Sequence, residues 1–249
     1  LFKYKKYAID VVEKRVVAGE YIYLACKQYL ALFQHPDIEF VPSRVDRVSS
    51  FISTLKHYTG VHAGKPFQLE PWQYWLVCNI YGFQRKETKK RLIRTVYIEI
   101  ARKNGKSFFA AALCLYHLIA DGEPAAEVLL AANSKEQSKI SFEMCSVLAR
   151  QLDPKATYLE PFRDNIRLQA TNSKLKCLAA DDSKLDGFNA SMFLIDERHA
   201  SKTNKLYDVL ASSQGMRSEP LAVTITTAGF DKTGPCYAAR TTAIEILRG

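Results

Sequence analysis

The sequence has no Cys-x-x-Cys pair and no cysteine–histidine spacing of the kind that holds a structural zinc. Its six cysteines are scattered, the nearest two being Cys114 and Cys145, and most lie in apolar runs such as "WLVCNI" and "AALCLY". That pattern reads as buried reduced thiols rather than a disulfide framework. No apolar run reaches the roughly 18 residues of a membrane helix, so no membrane partner is expected. The first residues, "LFKYKKYAIDVVEKR", never become continuously apolar as a secretory leader would. No internal repeat and no low-complexity segment is present. A leading Leu1 in place of Met suggests a piece of something longer.

What remains is a chain of 249 residues, 47% hydrophobic, enough to bury one large core or one domain with a lobe attached. Charge is uneven. Within residues 84–106, Arg85, Lys86, Lys89, Lys90, Arg91, Arg94, Arg102, Lys103 and Lys106 face only Glu87 and Glu99, a surplus of seven in a chain whose total is +9. A solvated loop carries such charge, and so does a surface that meets polyphosphate or nucleic acid.

Helical spacing marks residues 4–18, 20–35 and 44–58, and "PWQYWLVCNIYGF" opens a further helix with Pro71 in its first turn. From residue 94 the texture changes. "RTVYIEIA", "EVLLAAN", "LKCLAA", "SMFLIDE" and "LAVTITTAG" read as strands, with a shorter one at "NIRLQA". Between them lie an alanine-rich helix from Ser107, a helix capped by Ser134, a polar helix near 203–213 and a closing one near 235–247. Strands alternating with helices predict an α/β fold, a mostly parallel central sheet flanked by helices. A helical N-terminal lobe, 1–65, precedes it, and residues 66–249 form the sheet domain.

"IARKNGKS", residues 100–107, holds most of a phosphate-binding loop. Gly105, Lys106 and Ser107 supply its end, but Ile100 stands where the first glycine of the usual pattern belongs. The physical needs are nonetheless met: a strand feeds a tight turn, and a helix begins where an anion would sit. Lys106 would reach the β- and γ-phosphates of ATP, and the Ser107 hydroxyl would ligate Mg²⁺. A second piece is the strand Phe193–Ile195 ending in Asp196 and Glu197. One acid beside a neighbouring strand end serves the metal; the other can take a proton from attacking water.

These pieces resemble the ATPase half of the large terminase subunit of tailed bacteriophages, the motor that packages DNA. In that family the loop commonly begins with a small residue and an arginine, which "ARKNGKS" matches. "FQLEPWQYWLVCNIYGF" resembles its adenine-recognition segment, "LLAANSKEQSKISF" the strand and helix after the loop, "DDSKLDGFNASMFLIDERHA" the acidic-pair region and "TITTAG" its coupling motif. The N-terminal "YAIDVVEKRVVAGEYIYLAC" is similar to the family's helical lobe, so the likeness covers nearly the whole chain.

The resemblance implies a P-loop NTPase of the additional-strand type. It implies Gln73 on the adenine edge with Trp72 or Tyr74 packing nearby. Arg102, Lys103, Asn104, Gly105, Lys106 and Ser107 would wrap the phosphates, with Arg102 as a finger or sensor. Ser107 and Asp196 would hold Mg²⁺, Glu197 would be the base, and Thr226 and Thr227 would sense the γ-phosphate. Arg217, Arg198 and Lys184 are candidates for a residue donated to a neighbouring subunit, while His199 reads as a local hydrogen-bonding residue. Expected partners are double-stranded DNA, a portal protein, a small terminase subunit and further copies in a ring, in the host cytoplasm. The family's C-terminal nuclease domain is absent from this chain, and Asp181 and Asp182 are adjacent rather than convergent, so ATPase activity without DNA cleavage is expected. A helicase-like motor and a nucleic-acid- or capsid-binding scaffold with a degenerate site remain the alternatives.

Overall fold

Five of the apolar runs become the parallel strands of one sheet, and the N-terminal helices gather separately around aromatic side chains. The computed structural model describes residues 1–179 and 187–249; Asp181, Asp182 and Lys184 lie outside the described residues. Contacts divide the chain into one unit of residues 1–53, 68–94 and 240–249 and another of residues 54–67 and 95–239. The helix at 71–82 therefore groups with the N-terminal helices, and residues 54–67 group with the sheet.

The first unit contains α1 (Phe2–Val12), α2 (Glu20–Leu32), β1 (Ile38–Phe40), α3 (Pro42–Thr54), α4 (Pro71–Gly82) and β2 (Phe83–Arg85). Helical spacing shows in what is buried: Tyr4, Ala8 and Val11 on α1, and Val45, Val48 and Ile52 on α3. α1 stops well short of residue 18 because Lys14 turns into the left-handed region at φ 61°. There the carbonyl of Asp10 accepts the amides of both Arg15 and Val16. α4 is apolar all round and buries Trp75, Val77, Cys78, Ile80 and Tyr81. β1 and β2 pair antiparallel and place Phe40 beside Phe83. Phe83 takes the edges of Tyr29, Phe33 and Phe40 at centroid distances of 5.4, 5.0 and 5.1 Å. Each such pair adds about 0.5–1.5 kcal/mol beyond its buried area. Gly82 is required here, since a Cβ would stand 2.2 Å from the Phe40 ring.

The second unit is built from β3 (Thr95–Glu99), α5 (Lys106–Ile119), β4 (Glu127–Ala132), α6 (Lys135–Leu152), β5 (Leu159–Pro161), β6 (Asn165–Leu168), β7 (Ser173–Ala179), β8 (Met192–Asp196), α7 (Lys205–Ser212) and β9 (Leu221–Thr226). α8 (Pro235–Arg248) begins in this unit and ends in the first. The sheet runs β3-β9-β8-β4-β7-β6-β5. β3, β9, β8, β4 and β7 are mutually parallel, whereas β6 and β5 are antiparallel. β5 was not foreseen; three residues containing Pro161 carry too short a pattern to register.

Alternation decides which way each strand residue points. Leu129, Ala131, Phe193, Ile195 and Ala222 pack with Leu206 and Leu210 of α7 on one face. The neighbouring positions point to the other face, where α5 and α6 lie on β4 and β7. α5 is buried along its length from Phe108 to Leu118. Its side chains at that depth contribute about 1.5–3 kcal/mol apiece for the larger apolar ones. Because the five parallel strands run in one direction, the C-terminal ends of β3, β9, β8 and β4 share one edge, where open α/β sheets bind ligands.

Candidate active site

The loop after β3 begins later than the missing glycine implies. Ile100 is still tied to the sheet, its amide donating to the Thr226 carbonyl at 3.0 Å. A residue in that extended position needs no glycine, so Ile100 is compatible with a phosphate loop. The turn itself falls at Lys103 and Gly105, both left-handed at φ 64° and 72°. Glycine adopts that region without cost, a lysine at some cost. The Asn104 side-chain amide donates to the carbonyls of Ala101 and Arg102 at 3.1 and 3.2 Å and holds the turn together. α5 starts immediately afterwards, with Phe109 N–H bonding the Gly105 carbonyl. The amides ahead of Phe109 in that first turn have no intrahelical acceptor, which makes the loop a site for anionic oxygen.

Opposite stands the acid pair. β8 lies between β4 and β9, so Asp196 emerges on the α5–α6 face, nearly buried at 6% exposure. One Asp196 oxygen accepts the Glu197 amide at 2.9 Å and the other accepts the Ser141 hydroxyl of α6 at 2.8 Å. Glu197 then turns into the left-handed region at φ 53°, its N–H also donating to the Ile225 carbonyl at 3.0 Å. A non-glycine residue there is strained, and strain of this kind gathers at functional sites. The result is that Lys106 Nζ is paired with Glu197 Oε1 and lies 3.5 Å from Asp196 Oδ1.

Burial by itself pushes the Glu197 carboxyl up, but the Lys106 ammonium, His199 and Thr227 together outweigh it and hold its pKa below the ordinary range. His199 Nδ1 stands 3.1 Å from Glu197 Oε2 and 3.2 and 3.3 Å from the hydroxyls of Thr226 and Thr227. The His199 amide also donates to Thr226 Oγ1 at 3.1 Å. Thr227 reaches Glu197 Oε2 at 3.5 Å, whereas Thr226 is fully buried and spends its hydroxyl on the Thr227 carbonyl. The end of β9 is thereby joined to the acid through one imidazole.

Lys106, Ser107, Asp196, Glu197 and Thr227 are thus brought to the same sheet edge. A hydroxyl and a carboxylate are hard oxygen donors that suit Mg²⁺, which takes its remaining ligands from water and phosphate. Arg102 and Lys103 are exposed on the loop's rim. Gln73 and Trp72 belong to α4 in the other unit. Gln73 is buried at 2% exposure, its Oε1 accepting the Glu70 amide at 2.9 Å in a capping box. Trp72 is half-buried.

Two of the arginines considered for a neighbouring subunit are occupied. Arg217 donates to Glu123 and to the carbonyls of Pro124, Ala125 and Asn189 at 2.8–3.1 Å. Arg198 is buried, bonded to Thr224 and Asn204, with its guanidinium 4.2 Å from the Tyr207 ring. Ser141 and Asn133 went unnoticed in the sequence. Ser141 bonds Asp196, and Asn133 at the end of β4 donates to the Ala200 carbonyl. No local pattern marks a helix serine as the partner of an acid 55 positions away.

Comparison with known proteins bears on the family and the fold. The family described as "Terminase large subunit, ATPase domain" matches residues 71–245. The large terminase subunit of Enterobacteria phage HK97 is 25% identical over 192 residues, covering 74% of this chain and 37% of that protein. Protein YmfN of Escherichia coli K12 is 41% identical over 64 residues, 26% of this chain and 14% of its own. Among solved structures, the HK97 bacteriophage large terminase superposes with a TM-score of 0.69 at 22% identity, over 82% of this chain and 42% of that one. The chain therefore shares its fold and spans less than half the length of each of these relatives.

Proposed function

The chain belongs to the terminase large-subunit ATPase family, and on that premise we propose that it hydrolyses Mg²⁺-ATP to drive double-stranded DNA into a procapsid. The observation that carries this reading is the convergence of Lys106 with Asp196 and Glu197 at the first turn of α5. Lys106 exchanges its carboxylate partners for the β- and γ-phosphates, and the amides of the loop receive phosphate oxygens. Ser107 and Asp196 would hold Mg²⁺, which would supply positive charge to offset that of the phosphates. Glu197, released from Lys106, accepts the proton of the attacking water. In the nucleotide-free chain burial pushes its pKa up, but Lys106 and His199 outweigh burial and keep it ionised.

Thr227 and His199 report the state of Glu197 to the end of β9, which is how hydrolysis is transmitted to movement. Arg102 approaches the transferring phosphoryl group from the rim, with Lys103 and Asn104 shaping the loop. Gln73, with Trp72 next to it in sequence, is the residue proposed for recognising adenine. In packaging the chain would work as a ring on a portal protein, with a small terminase subunit, in the host cytoplasm. Among the described residues no helix is long and apolar enough to cross a membrane, and no three His, Cys, Asp or Glu side chains gather as a metal site.

Phosphate release measured with and without double-stranded DNA, beside Lys106→Ala, tests the proposal. Turnover that DNA stimulates and the variant lacks is the expected result. DNA binding without any turnover would favour a scaffold instead.

A further inference from the structure

A cavity of about 280 Å³ opens beside the phosphate loop, and its walls are of two kinds. Arg102 and Lys103 form a cationic rim, while His57, Tyr58, Phe67 and Phe108 form an aromatic wall. The wall is a built structure. Phe67 N–H bonds the Leu55 carbonyl at 2.7 Å, Lys56 bridges Pro66, His57 N–H bonds the Lys65 carbonyl at 3.0 Å, and the His57 carbonyl accepts Gly64 N–H at 2.7 Å. Residues 55–67 are therefore a closed hairpin that fixes where the His57 ring lies. Gly64, at φ 83°, supplies its left-handed corner.

Phe67 stacks on Phe108 at 4.2 Å and 18°, and the His57 ring sits 5.2 and 5.1 Å from the two centroids. Phe108 follows Lys106 by two residues on α5, so this aromatic layer adjoins the triphosphate site. His57 and Tyr58 are only half-buried, unlike the sealed rings of the first unit. Burial first, and then nearby His62, push the His57 pKa down, so at pH 7 it presents a neutral ring face. The His62 ring stands 5.7 Å from that of His57, and a half-exposed aromatic wall next to a cationic rim suits a ligand that is a flat heteroaromatic ring at one end and a polyphosphate at the other. The volume is at the small end of ligand sites, about 300–1,000 Å³, and matches part of a nucleotide with its phosphates outside on the loop.

Resting on the nucleotide reading above, we propose that the 55–67 hairpin is the platform on which the nucleobase stacks, with His57 as its exposed face. This concerns the face of the base and is separate from the edge contact given to Gln73. Stacking tolerates any base, so the platform confers affinity for nucleotides as a class and leaves discrimination between bases weak.

Calorimetric titration of the 249-residue chain with two probes in Mg²⁺ buffer tests this: a nonhydrolysable ATP analogue, and inorganic tripolyphosphate, which has no ring. His57→Ala is expected to weaken the analogue about tenfold, within the range for losing one stacking partner, to leave tripolyphosphate within twofold, and to be rescued by His57→Phe. If both probes weaken together, or His57→Phe fails to restore the analogue, His57 serves the loop's structure and the inference is overturned. Unchanged analogue binding in His57→Ala overturns it as well. A wild-type chain that binds neither probe ends the nucleotide reading itself, and this inference with it.

Discussion

Lys106 and Glu197, 91 positions apart in the chain, are joined as an ion pair at the edge of the sheet. Under the proposed function the amine is held by a carboxylate instead of phosphate, and the proposed base by an amine instead of water. On that reading, binding of a triphosphate breaks this pair and frees Glu197 in the same event.

Lys106→Ala and Glu197→Gln are both expected to reduce phosphate release to background, by different routes. The first removes the phosphate contact and so loses nucleotide binding. The second keeps the amine and keeps binding, and its Lys106, no longer neutralised by Glu197, should bind an ATP analogue at least as tightly as wild type. Equilibrium binding of a fluorescent ATP analogue to the two variants separates them. Turnover at the wild-type rate in Glu197→Gln would assign the base elsewhere.

The pair also makes the nucleotide-free chain pH-sensitive. The Glu197 pKa is lowered on folding from an ordinary value of 4.5, by burial outweighed by Lys106 and His199. Its contribution is therefore fully present above pH 4.5 and is lost as pH falls through the lower folded value. Urea unfolding of wild type and Glu197→Gln should show wild type ahead by about 1–2 kcal/mol at pH 7, less than for a sealed pair because Glu197 keeps 23% side-chain exposure. The gap should narrow as pH falls below 4.5. A gap that widened on acidification would mean that the carboxyl is held neutral rather than ionised.

Arg217→Ala is expected to act on stability rather than as the loss of a residue shared between subunits. Its guanidinium gathers the chain at Glu123–Ala125 onto Asn189 with a charged bond to Glu123 at 2.9 Å. Removing it leaves several carbonyls without their donor, about 2 kcal/mol, or a melting point lower by about 4–8 °C for a chain of this size. Mixed assemblies of Arg217→Ala with a Lys106→Ala chain should regain no activity. Complementation between the two would restore Arg217 to the trans position.

The strands that carry the candidate site were readable because their patterns are written locally. A β-rich run before Gly-Lys-Ser and an apolar run ending in Asp196 and Glu197 each carry their own pattern, and parallel strands with helices between them leave few ways to arrange the edge. What could not be read was long-range. Gln73 fits an adenine motif in sequence, yet in the fold its carbonyl closes the cap of α4. Arg217 and Arg198 look like available charges until their partners, brought in by the sheet, are known. His57 falls inside the helix read over 44–58, yet α3 ends at Thr54, and only the pairing of Leu55 with Phe67 sets it against Phe108. Ile100 erred the other way: it violates the loop pattern in sequence and sits in an extended position that never needed glycine.

The basic stretch yields the last prediction. Charge alone nominates Arg85, Lys86, Lys89, Lys90 and Arg91 as a surface for DNA, and four of them are exposed. Arg91 is buried at 3%, its guanidinium 5.7 Å from the Tyr81 ring, so reversing it would probe folding and not binding. Lys86 and Lys89 are bonded to the Pro36 carbonyl and to Glu39, but at exposed positions such bonds cost little to exchange for phosphate. Replacing Arg85, Lys86, Lys89 and Lys90 by glutamate, with Arg91 kept, should leave the melting point within a few degrees. If each lysine or arginine meets one phosphate, the slope of log affinity for duplex DNA against log salt should fall by about 3–4. Basal hydrolysis without DNA should be unchanged, because none of the four belongs to the loop or the acid pair. An unaltered slope would place the DNA elsewhere on the molecule, whereas a slope that falls only when Arg91 is also replaced would report unfolding.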